Sequence, residues 1–74
     1  MDWISILDEP IPRPKKPIDV LIWFGEDETC DHFRVWDEAL FNMNSNNQND
    51  WKDIINSGAT HWMPITVPTD KTGL

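Results

Sequence analysis

The sequence predicts a small α+β domain: a three-stranded antiparallel sheet with a proline-rich N-terminal strap and one short helix before the last strand. Three observations predict it. An apolar run, Val20-Leu21-Ile22-Trp23-Phe24, closes at Gly25. A second segment, 32–36, alternates Phe33 and Val35 with Arg34 and Trp36. An amphipathic stretch headed by Asp50 and stopped by Gly58 leads into Thr60-His61-Trp62-Met63-Pro64-Ile65. The 74 residues leave room for one domain, 1–74, and a chain of this size buries only about 60% of the surface its unfolded form exposes. Its core must therefore be dense. Five Trp and three Phe supply that density, since each ring buries roughly 150–250 Å². The single Cys30 excludes an internal disulfide, and the Cys and His are too few for a structural zinc site.

Residues 1–18 open with Trp3-Ile4-Ser5-Ile6-Leu7 and continue through Pro10, Pro12, Pro14 and Pro17. Four prolines in eight residues fix φ and remove donors, so the segment is an extended strap laid over the sheet. A free linker or an SH3-type ligand is the alternative use of such composition, and a chain this small has no residues to spare for one. Residues 19–24 form the central strand, expected to be covered on both faces. Residues 25–31 form a long acidic loop, returning as a hairpin into strand 32–36. Residues 37–41 could continue that strand or bulge. Residues 42–49, with five Asn, a Gln and a Ser, form a surface loop.

Asp50 caps a helix with Trp51, Ile54 and Ile55 on one apolar face, and Gly58 stands at its C′ position. About two turns long, that helix must dock to persist. In the last strand, 60–65, Thr60 and Trp62 face one way and His61, Met63 and Ile65 the other. Pro64 cannot donate to a ladder, so the strand lies at an edge or ends there. The polar tail, 66–74, is expected to be flexible. Trp3, Trp23 and Trp62 are assigned to the core, and Trp36 and Trp51 to half-exposed positions beside the polar middle.

Charge narrows the function classes. A net charge of −7 repels phosphate and anionic lipid, so direct nucleic-acid or membrane binding is disfavoured. No secretory leader is expected, since the opening residues lack the charged, apolar and small-residue pattern of one, and no apolar run approaches the roughly 20 residues that span a bilayer. Both features point to a cytoplasmic, reducing compartment. Within 25–38 lie Glu26, Asp27, Glu28, Asp31, Asp37 and Glu38 against a lone Arg34, net −5 in fourteen residues. On an extended segment, carboxylates at i and i+2 stand about 6.5–7 Å apart on one face. Such a row can occupy a basic groove that normally holds a nucleic-acid backbone. The alternative is a solvated acidic loop that keeps a small protein soluble. Trp36 is a candidate apolar anchor beside the acidic row, because tryptophan is enriched at interface hot spots.

Cys30, Asp31, His32 and His61 are the residues that could seed a nucleophile or metal site. Zinc needs three or four ligands in tetrahedral geometry, and a Cys/His nucleophile needs an oxyanion cradle that three scattered glycines do not supply. The reading is therefore non-enzymatic, with no cofactor and no metal, and His61 is read as a packed structural histidine.

The opening Asp2-Trp3-Ile4-Ser5-Ile6, the strand Pro17-Ile18-Asp19-Val20-Leu21-Ile22 and the closing Thr60-His61-Trp62-Met63-Pro64 resemble the domain of unknown function 551 family. Those are small proteins, largely from phages and prophages, that begin with a Trp-Ile-Ser/Pro segment and end with His-Trp-Met-Pro-Leu-Pro. This chain departs at Ile65, at Thr66 and Val67, which postpone the next proline to Pro68, and in a longer middle, 37–56. The resemblance implies a small antiparallel sheet and a phage setting, and brings no activity. Joined to the charge pattern, it leads to an accessory protein in the host cytoplasm that binds and inhibits or redirects a host protein. That host would be a nucleic-acid-handling or defence protein with a basic groove, which makes the chain an anti-CRISPR candidate. The expected contacts are Glu26, Asp27, Glu28, Asp31, Trp36, Asp37 and Glu38. The alternative is a small structural or scaffolding domain that self-associates, as a homodimer, or binds other phage proteins without mimicry, through the exposed edge of the last strand or through the strap.

Overall fold

A computed structural model describes residues 2–65; the expected flexible tail, 66–74, lies outside the described residues. The sheet has six strands, not three: β1 (Ile4–Ser5), β2 (Ile18–Phe24), β3 (Thr29–Val35), β4 (Leu40–Asn42), β5 (Asn47–Asn49) and β6 (Ala59–Pro64), with one helix, α1 (Trp51–Asn56). Their order across the sheet is β1-β6-β2-β3-β4-β5, every neighbour antiparallel.

The three expected strands are the middle of this sheet, and the three added ones are its short flanks. β1 has two residues, pairing Ile4 with Trp62 and Ser5 with His61. It was hidden inside the strap, because two residues give no readable alternation. The asparagine segment is no loop; it folds as the β4–β5 hairpin. Asn42 Oδ1 accepts from the backbone N–H of Asn44 at 2.8 Å and of Ser45 at 3.1 Å, and Asn46 takes a left-handed backbone at φ 58. Both are asparagine's own turn chemistry.

The acidic connection is also shorter than expected. Only residues 25–28 turn, and β3 begins at Thr29, so Asp31 is a strand residue paired with Ile22. Trp36 lies just past the end of β3, and Ile65 just past β6, where its N–H donates to Asp19 O at 3.1 Å. Pro64 ends β6 but does not put it at an edge, since β1 and β2 flank it.

Register sorts the side chains into two faces. Val20, Ile22, Phe24, Phe33, Val35, Leu40 and Trp62 point to one side and form the core with Ile11 of the strap and Trp51 and Ile54 of α1. The links that cross the sheet, the strap from β1 to β2 and α1 from β5 to β6, both lie over this face. The strap is fastened where Trp62 Nε1–H donates to Glu9 O at 2.8 Å and where the Arg13 guanidinium stacks 4.4 Å over the Trp51 ring. Trp51 is therefore a core residue, and Ile55, expected beside it, is 50% exposed.

By alternation, Leu21, Trp23, Cys30, His32, Arg34, Phe41, His61 and Met63 occupy the other face. Among the described residues neither α1 nor the strap beyond β1 covers it; Leu21 and Trp23 of β2, the strand expected to be covered on both faces, are partly exposed there, while Met63 of β6 is buried. Trp3 and Trp23, expected in the core, pack against each other here, ring centroids 5.9 Å apart and planes tilted by 50°.

Candidate functional site

Glu26, Asp27 and Glu28 form the tip of the β2–β3 hairpin, and all three are exposed. The tip is anchored to the corner between α1 and β6. Gly25 N–H donates to Gly58 O at 3.1 Å, and a side chain at Gly25 would meet Thr60 at 3.1 Å. Gly58 itself has φ +94, and the stem of Glu26 lies over it. Glu28 closes the turn at φ 54, a left-handed backbone in a residue with a Cβ.

Asp31 stands behind the tip on the core side. Its carboxylate accepts from Asn44 Nδ2 at 3.0 Å and, at 3.5 Å, is approached by Asn42 Nδ2. With Asp27, Asn47 and Asn49 it rims a pocket of about 250 Å³ above Phe24 and Phe33. The structure thus brings Glu26, Asp27, Glu28 and Asp31 to one end of the sheet.

Asp37 and Glu38 do not join them. They lie exposed in the link from β3 to β4, beyond the opposite end of a seven-residue strand, so roughly 20 Å separates the two groups. The half-buried Trp36 belongs to this second group. The single extended row of carboxylates inferred from the sequence is divided because β3 itself carries only Asp31. Among the described residues, no Lys, Arg or His forms an ion pair with any of these six carboxylates.

The ion pairs that do form lie on the open face. Asp19 Oδ1 accepts from Arg34 Nε at 3.1 Å, and His32 Nε2 stands 3.3 Å from the same oxygen, near enough to pair when protonated but poorly aligned as a hydrogen bond. Partial burial pushes the Asp19 carboxyl up. The hydrogen bond and charge of Arg34, with the close approach of His32, outweigh that and hold it below the ordinary aspartate value.

Cys30 and His61 sit on the same open face, each opposite Trp23 in register, one on either side of it. Two strand spacings, about 9–10 Å, part their backbones. His61 Nδ1 is 2.8 Å from Thr60 Oγ1. Among the described residues, no three His, Cys, Asp or Glu are grouped to hold a metal ion.

Sequence reasoning missed two features. Asn42 and Asn44 orient Asp31, a role for which the density of asparagine was the available signal. Trp3, Trp23 and His61 line an open depression of about 210 Å³; the opposite parity of Trp23 to Ile22 in β2 was its signal. In comparisons with known proteins, the family described as "Protein of unknown function (DUF551)" matches residues 2–70. No curated protein and no solved structure matches the chain.

Proposed function

Because the chain belongs to the DUF551 family of proteins of unknown function, which brings no activity to assign, we propose that it is a non-enzymatic binding protein whose acidic hairpin tip docks in a basic groove of a partner protein. The observation that carries this reading is Glu28. A side chain at φ 54 costs about 1–2 kcal/mol that glycine would avoid, yet a carboxylate stands there, beside two more, all without an ion-pair partner among the described residues. Strained backbone clusters at binding sites and switch regions, and this turn joins it to exposed charge.

The partner follows from the charge. A rigidly held group of carboxylates replaces the phosphates of a nucleic acid in a groove built for them, so the proposed partner is a host nucleic-acid-handling or defence protein. The phage setting implied by the family resemblance belongs to this same proposal. Asp37, Glu38 and Trp36 enter as a second contact when the groove extends about 20 Å from the tip. Self-association through the edge of the last strand loses its premise, since β6 is an interior strand.

The test is capture of partners from nuclease-treated bacterial lysate at low and high salt, with wild type beside Glu26→Gln/Glu28→Gln. Both residues are exposed, so the variant keeps its denaturation midpoint. A nucleic-acid-binding protein retained by wild type, released by salt and lost from the variant supports the reading. Equal retention by both proteins overturns it.

A further inference from the structure

The depression between Trp3, Trp23 and His61 is lined by two indoles and an imidazole. Trp3 is 39% exposed, and its ring meets that of Trp23 at 50°, so the two present a wedge of π-surface with the His61 ring on a third side. A cation over an indole face is attracted by the ring quadrupole, by about 0.5–2 kcal/mol according to how far it is desolvated.

Position supplies the second argument. Trp23 precedes the 25–28 turn by two residues, about 7 Å along the strand, which brings the depression within a Debye length of the acidic tip at physiological salt. A positive group in the wedge therefore feels the rings and the carboxylates together. The chain, at net −7, favours an incoming cation over an anion or a second copy of itself. Arginine fits better than lysine, because its planar, weakly hydrated guanidinium stacks on aromatic faces. Arg13 makes that contact with Trp51 on the opposite side of the sheet.

We propose that the Trp3–Trp23–His61 depression is an anchoring site for an arginine side chain of a basic partner protein, seated on the two indoles while neighbouring cations of the partner face the acidic tip. The inference rests on the binding-protein reading above and names the chemistry of the partner.

Titration of the protein with hexa-arginine and hexa-lysine peptides, followed by NMR of the tryptophan indole N–H resonances, tests it. The expected result is movement of the Trp3 and Trp23 signals with those of buried Trp51 and Trp62 unmoved, and tighter binding of the arginine peptide. Trp3→Leu, at a partly exposed position, keeps apolarity and removes the indole; it is expected to weaken binding roughly 2- to 30-fold with the fold unchanged. Still Trp3 and Trp23 signals, equal affinity in Trp3→Leu, or sedimentation showing a dimer closed over both rings each overturns the site. Failure of the broader reading looks different: Glu26→Gln/Glu28→Gln then binds the peptide as wild type does while both indoles still respond.

Discussion

Glu28 and Gly58 hold the same kind of backbone for opposite reasons. At Gly58, φ +94 is the ordinary glycine solution to ending a helix, and Gly58→Ala is expected to lower stability by about 1 kcal/mol, read as a shift in urea midpoint. At Glu28, φ 54 is strained, and Glu28→Gly is expected to raise stability by about 1 kcal/mol while weakening partner capture. A Glu28→Gly protein that is no more stable than wild type would show that the turn is relaxed and remove its functional meaning. Asp19 supplies a pH dependence. Its carboxyl is held below the ordinary value in the folded state, so its contribution is fully present above the unfolded pKa of about 3.9 and fades as pH falls through the folded one. With its partner Arg34 about half exposed, that contribution is under about 1 kcal/mol. Urea midpoints from pH 6 down to pH 2 should show a larger acid loss in wild type than in Asp19→Asn.

Among the elements, β6 does the most joining. It separates β1 from β2, puts Trp62 into the core and presents His61 and Met63 on the open face. Trp62→Ala is expected to cost on the order of 3–5 kcal/mol, a large part of the stability of a domain this size. Trp62→Phe separates packing from fastening: it keeps a ring but removes the donor to Glu9 O, a loss of about 1 kcal/mol. Its signature is faster amide exchange in the strap at 6–17 with β2 and β3 still protected. If exchange in the strap is unchanged, Ile11 and the Arg13–Trp51 stack hold it without the indole bond. The helix shows the same dependence on docking. Six residues are too few to be stable alone, and burial of Trp51 and Ile54 keeps them folded.

At the scale of the molecule, the sheet has one covered face, one open face and two charged ends. Both crossing links lie on the covered face, which concentrates the core there and leaves Trp3 and Trp23, among the described residues, packed against each other on the opposite face. The acidic tip, the pocket behind it and the aromatic wedge all lie toward one end, so the proposed basic partner would meet charge and π-surface together. Binding at that end should weaken steadily with the logarithm of salt concentration, and the slope should shrink in Glu26→Gln/Glu28→Gln. Titrations from 50 to 500 mM salt measure both; a partner held independently of salt would count against electrostatic docking.

Local rules were enough to read several elements. The apolar run at 20–24, the alternation around Phe33 and Val35, the Asp50 and Gly58 helix signals and the strand-ending Pro64 each act within a few residues, so the central hairpin, the helix and the last strand were legible. The carboxylates of the candidate site were legible too, as a local excess of charge. What lay beyond the sequence was pairing. Two or three residues become a strand only when a neighbour supplies the ladder, so β1 exists through β6, β4 through β3 and β5 through β4. Which side of a strand is core depends on where the crossing links lie, and a tryptophan suits either face. Tertiary structure therefore decided that Trp51 is buried, that Trp3 and Trp23 are not, and that the acidic segment is split between two ends of one strand.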